Sequence, residues 1–146
     1  MWTLRYTDEF ERRRKRYAKK RGRELRAVLG NLDVLVESLN EGGKPQQAKF
    51  GFIHPEPLGV LAIEQKGGGK SLTETRLYVF PDESGGVLYA ITLGDKQSQA
   101  DDIETCKQFV RDLRSGALSA ASETESRAVD SEEGEVANES DREEIS

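Results

Sequence analysis

Thr75-Arg76-Leu77-Tyr78-Val79-Phe80-Pro81-Asp82-Glu83-Ser84-Gly85-Gly86-Val87-Leu88-Tyr89-Ala90-Ile91-Thr92-Leu93 is the stretch that decides the fold. Two runs rich in aromatic and β-branched residues flank six turn-forming residues. Such runs predict strands. Parallel neighbours need a crossover helix between them, and six residues are too few for one. The two runs are therefore expected to pair antiparallel. Upstream, Val60-Leu61-Ala62-Ile63 is another short apolar run. Before it, Phe50, Phe52 and Ile53 begin a strand that the turn His54-Pro55-Glu56-Pro57-Leu58-Gly59 is expected to end. Lys66-Gly67-Gly68-Gly69-Lys70 reads as a flexible connector. The middle of the chain is thus an antiparallel meander.

The period changes on either side. Residues 2–6 alternate and predict a short strand. Thr7, followed by Asp8, Glu9 and Glu11, marks a helix start: a capping hydroxyl, then acids at the positive end of the dipole. That helix covers 8–20. Gly22 loosens or breaks it, and a second helix then runs to about Asn40, with Leu25, Val28, Leu29, Leu32, Val36 and Leu39 at three-and-four spacing. A last helix starts near Ser98, where Asp101 completes capping-box spacing, and buries Ile103, Cys106, Phe109, Val110 and Leu113. Ser115-Gly116 ends it. The expected order is β-α-α-β-β-β-β-α. The fold class is α+β, with two N-terminal helices and a C-terminal helix on one face of a mostly antiparallel sheet of four to five strands.

Charge divides the chain at the same point. Residues 1–118 hold 20 Lys/Arg and 17 Asp/Glu, a balance of +3. Residues 119–146 hold 2 and 10, a balance of −8. Two regions are expected: a folded domain over 1–116 and an acidic, disordered tail over 117–146. The tail has too little apolar surface to offset its chain entropy. The lone Cys106 permits no intrachain disulfide, and no Cys/His cluster suggests a metal. The short apolar start resembles no signal peptide, and no stretch approaches a membrane span. A cytoplasmic protein without cofactor or membrane partner is expected.

Arg12, Arg13, Arg14, Lys15, Arg16, Lys19, Lys20, Arg21, Arg23 and Arg26 put ten cations into fifteen residues. So dense a run of one sign suits a polyanion, and Arg12, Arg13, Arg16, Lys19, Lys20 and Arg23 are candidate RNA-binding residues.

Four stretches, in this order and spacing, resemble the RelE/ParE toxin superfamily of type II toxin–antitoxin pairs, on its RelE/HigB-like branch. Arg5-Tyr6-Thr7-Asp8-Glu9-Phe10 followed by a Lys/Arg-rich helix is similar to the family's opening. Leu39-Asn40-Glu41-Gly42 is similar to its helix end, and Thr75-Arg76-Leu77-Tyr78-Val79 to the strand carrying a catalytic arginine. The segment from Gly94 through Lys96 to Asp102-Ile103 is similar to the HigB-like stretch after the last strand.

The resemblance implies a toxin that cuts translated mRNA at the ribosome without a metal, by attack of the ribose 2′-hydroxyl on the adjacent phosphate. It also implies a cognate antitoxin, of helix-turn-helix type, as partner. The ParE branch implies a non-enzymatic gyrase inhibitor instead, and a catalytically silent RNA- or protein-binding member is a third reading. For cleavage, Arg76 is the candidate phosphate clamp, since a guanidinium holds phosphate oxygens bidentately and keeps its charge. Lys96 is a second candidate cation. Lys66 or Lys70 is a candidate base if its pKa is lowered. His54, the sole histidine, is a candidate acid or base, and Tyr78 a candidate proton donor or stacking platform. Gly67-Gly68-Gly69-Lys70-Ser71 is not a P-loop, because Glu64 stands where glycine is needed and a strand follows. Some RelE enzymes carry a catalytic tyrosine near the last helix, where this chain has Asp101-Asp102, acids expected to repel RNA. The nuclease reading requires the positive side chains to converge on one concave spot, with Arg76 free of carboxylates.

Overall fold

The computed structural model describes residues 1–65 and 72–116. Its centre is the pair β4 (Thr75–Asp82) and β5 (Val87–Gly94), antiparallel as their short connection dictates. β3 (Leu61–Gln65) joins β4 antiparallel, and β2 (Ile53–Pro55) joins β3 likewise. β1 (Thr3–Tyr6) runs parallel to β5 at the other edge, giving the order β1-β5-β4-β3-β2. The helices are α1 (Asp8–Lys20), α2 (Gly22–Asn40) and α3 (Gln99–Ser115). The class is α+β, as expected. None of these helices is long and apolar enough to cross a membrane.

One expectation is corrected. The three helices do not share a face. α1 and α2 bury Phe10, Leu25, Val28 and Leu32 against Leu61, Ile63, Leu77 and Val79. α3 buries Cys106 and Val110 on the other side, against Ala62, Tyr78, Phe80 and Ile91. Both faces of the central strands are apolar, so both must be covered. A register shift between Tyr78 and Val79 pairs Thr92 with Tyr78 and Ala90 with Val79. Ile91 is the unpaired extra residue, and this bulge leaves Ile91 and Thr92 on the α3 side.

The α1 cap forms as its sequence dictates. Thr7 Oγ1 accepts the Phe10 N–H at 3.0 Å and donates to Ile91 O at 2.7 Å, tying the helix start to the bulge. Thr7→Ala is expected to cost about 1–2 kcal/mol, as lost cap plus lost tertiary bond. Urea unfolding of both chains checks this. Gly116, left-handed at φ 81°, ends α3. Two expectations, the glycine connector with Lys66 and Lys70 and the disordered tail, lie outside the described residues.

Candidate functional site

α3 does not cover the whole of its sheet face. Beside it the strands present His54 from β2, Glu64 from β3 and Arg76 from β4. Register fixes the arrangement. Glu64 and Arg76 are direct cross-strand partners, while His54 is paired with Ala62 and meets Glu64 on the diagonal. Glu64, 4% exposed, holds both neighbours: its Oε1 lies 3.1 Å from His54 Nε2, and its Oε2 lies 2.9 Å from Arg76 Nη2. The Glu64 backbone is pinned in turn, its N–H bonding Phe52 O and its carbonyl accepting from Asn31. His54 is 45% exposed and Arg76 16%. The Arg76 Nη2 also lies 3.2 Å from Glu74. Burial pulls the Arg76 pKa down, and Glu64 with Glu74 more than offsets it, so the guanidinium is held charged. Glu56 stands close by, its carboxyl raised by burial and lowered by Arg76 and His54.

The structure brings His54, Arg76 and Tyr78 to one face, with an outcome different from the expected one. The centre is of mixed charge rather than a cluster of free cations, and Arg76 carries two carboxylates. Tyr78 is fully buried in the α3 core, so its ring offers no stacking surface. Burial pushes its phenol up, leaving it neutral, and its hydroxyl has no hydrogen-bond partner among the described residues. Lys96 lies exposed just past β5, two residues beyond Gly94, which pairs with Arg76. The order across the sheet is therefore His54, Glu64, Arg76, then the Lys96 loop.

Sequence reasoning missed Glu64, Glu74 and Glu56. Glu64 had a signal: an acid closing the apolar run 60–63 must be buried with the strand, and a buried carboxylate needs a cationic partner.

The two acids that open α3, expected to repel RNA, differ in setting, and Asp101 alone is exposed. Asp102 is 1% exposed and does not face solvent. Its Oδ2 accepts from Ser98 Oγ at 2.7 Å, and Oδ1 lies 3.3 Å from Arg13 Nη1. Burial raises the Asp102 carboxyl, opposed by Ser98 and Arg13. Ser98 therefore serves Asp102, and its side chain makes no capping bond to the helix. The close packing requires Gly94: a Cβ there would stand 2.1 Å from Asp102 Oδ2 and 2.3 Å from Ser98 Oγ.

Among the candidate RNA-binding residues, Arg13 turns inward. It donates to Leu93 O at 2.8 Å and pairs with Glu9 and Asp102. Arg12 pairs with Glu9, and Arg14 with Glu11. Arg12, Arg16, Lys19, Lys20 and Arg23 are exposed. α1 packs on the sheet face opposite His54 and Arg76, so the basic run and the polar centre do not converge.

No protein-family model matches the chain, and no curated protein matches it. Among solved structures, a double mutant of the E. coli toxin RelE in the free state is similar to it. The TM-score is 0.42 at 16% identity, covering 71% of this chain and 90% of that one.

Proposed function

We propose that the chain is a toxin-type endoribonuclease, of the RelE/HigB-like kind, that cuts RNA without a metal. Arg76 is not free of carboxylates as the sequence reading required, so the proposal rests on a different device, the buried Glu64 carboxylate between His54 and Arg76. A small turn of the ring would let Nε2–H donate to Glu64 Oε1, 3.1 Å away, and leave Nδ1 as the basic nitrogen. Nδ1 then takes the proton of the ribose 2′-hydroxyl. The oxygen attacks the adjacent phosphorus, and the P–O5′ bond breaks. Arg76, charged and fixed, meets the negative charge that builds on the non-bridging oxygens. Lys96, exposed just past β5, takes the part of protonating the leaving oxygen in this proposal. Arg76 must exchange Glu74 for phosphate as the substrate enters.

The exposed cations of α1 serve as a separate docking surface for ribosomal RNA, and a cognate antitoxin is the expected partner. Primer extension on cellular mRNA after brief induction tests the reading. Cuts within translated messages are expected, with cleavage weakened ~10²–10⁴-fold in His54→Gln. Intact mRNA with a DNA-damage response gives the ParE-like reading instead. The second carboxylate on Arg76 favours one further reading, a chain that binds without cutting. It predicts intact mRNA and no toxicity.

A further inference from the structure

We propose that the acidic segment 119–146 docks in cis on the basic face of α1 and keeps nucleic acid off it. Arg12, Lys15, Arg16 and Lys19 follow helical spacing and form one exposed face, with Lys20 beside it. They line a shallow depression together with Arg14, and only Asp8 and Glu11 bring negative charge to it. The helix's own acids are already used. Glu9 holds Arg12 and Arg13, and Glu11 holds Arg14. Lys15, Arg16, Lys19 and Lys20 have no ion-pair partner among the described residues. A face of one sign repels itself and attracts a polyanion.

The chain carries a matching polyanion. Residues 119–146 include Glu132-Glu133, Glu135, Glu139, Asp141, Glu143 and Glu144, within a segment of balance −8. Reach does not limit the contact. α3 ends by Leu58, where Arg114 contacts the Leu58 carbonyl, and begins by Asp95, whose side chain meets Arg21 at the end of α1. Seventeen helical residues separate these ends by about 25 Å. The 30 residues from 117 to 146 span at most ~100 Å when extended. Tethering at such a distance gives an effective concentration on the order of 1 mM, enough for a weak ionic contact to form. The docked segment lies on the sheet layer opposite His54 and Arg76. It blocks docking of a nucleic-acid backbone and leaves the polar centre uncovered.

A nitroxide on Ser131→Cys tests the contact in the full chain, because Cys106 is buried and unreactive to the label. Paramagnetic broadening of the amide signals of residues 12–20 is expected, lost at ~500 mM salt. Absence of broadening there, or broadening centred on His54 and Arg76, overturns the proposal. This readout involves no RNA, so it stands apart from the nuclease reading. In the second arm, the ten tail acids are replaced by their amides and binding of a uridine 20-mer is measured at ~50 mM salt. The amidated chain is expected to bind at least ~10-fold more tightly. That gain disappears when Lys15, Arg16, Lys19 and Lys20 are also changed to glutamine. Equal affinity of native and amidated chains overturns the proposal.

Discussion

Glu64→Gln is expected to slow RNA cleavage by about 10²–10⁴-fold while the chain stays folded. The amide keeps the shape of the carboxylate and loses its charge. It no longer favours the Nε2-protonated ring of His54, whose Nε2 lies 3.1 Å from the carboxylate. In a Ser-His-Asp triad the corresponding amide change costs about 10⁴-fold through the wrong tautomer. Arg76 keeps Glu74 as partner in the variant, so the fold loses only about 1–2 kcal/mol. Arg76→Ala is a poorer test. It leaves Glu64 buried without its guanidinium, and breaking such a pair costs about 3–5 kcal/mol by itself. Single-turnover cleavage of a labelled RNA, with a thermal melt of the same samples, checks the prediction. Cleavage within ~3-fold of the native rate in a folded Glu64→Gln chain removes His54 and Glu64 from the chemistry.

Gly94→Ala is expected to cost about 3 kcal/mol or more, lowering Tm by roughly 10–20 °C. The new methyl group collides with both Asp102 and Ser98. Relief requires the start of α3 to lift or the Asp102 carboxylate to leave Ser98 and Arg13. Either route exposes or strands a buried charge. Asp102→Asn separates the two effects, since the amide retains the packing and removes the charge. Its sign with pH follows from the raised carboxyl. A folded pKa above the unfolded one favours the native chain at low pH, and that contribution is lost as pH rises through the window between the two values. Asp102→Asn is therefore expected to gain relative to the native chain as pH rises through and above the ordinary aspartate range near ~4. Thermal melts across that range measure it.

The helices and the central strands were legible because each follows a single period. Leu25 to Leu39 repeats at three and four, and the runs around Tyr78 and Tyr89 are bounded by turn residues. Which face α3 takes was not legible. Val60 to Ile63 is apolar on both sides, and such a run carries no record of which helix lies above and which below. The polar centre was half legible. Arg76 and His54 stand out by residue type, but Glu64 acquires meaning only when register sets it opposite Arg76. Arg13 and Asp102 misled for a related reason. A cation among ten cations, and an acid in a first helical turn, both suggest solvent. The angular phase of α1 and the tight approach of α3 over Gly94 turn them toward each other.

β1 has a consequence for synthesis. Its partner is the last strand, joining residues 3–6 to 87–90. β1 of the nascent chain therefore waits until its partner some 84 residues later has been made, about 4–17 s at ordinary elongation rates. Contacts so distant in sequence make closure slow, because loop entropy must be overcome before any pairing energy returns. A prematurely terminated product that stops in the turn before Val87 holds every side chain of the His54–Glu64–Arg76 group and still lacks the strand that locks Arg76 in place. Such fragments are expected to lack an ordered polar centre, which forms only after translation of the sheet is finished.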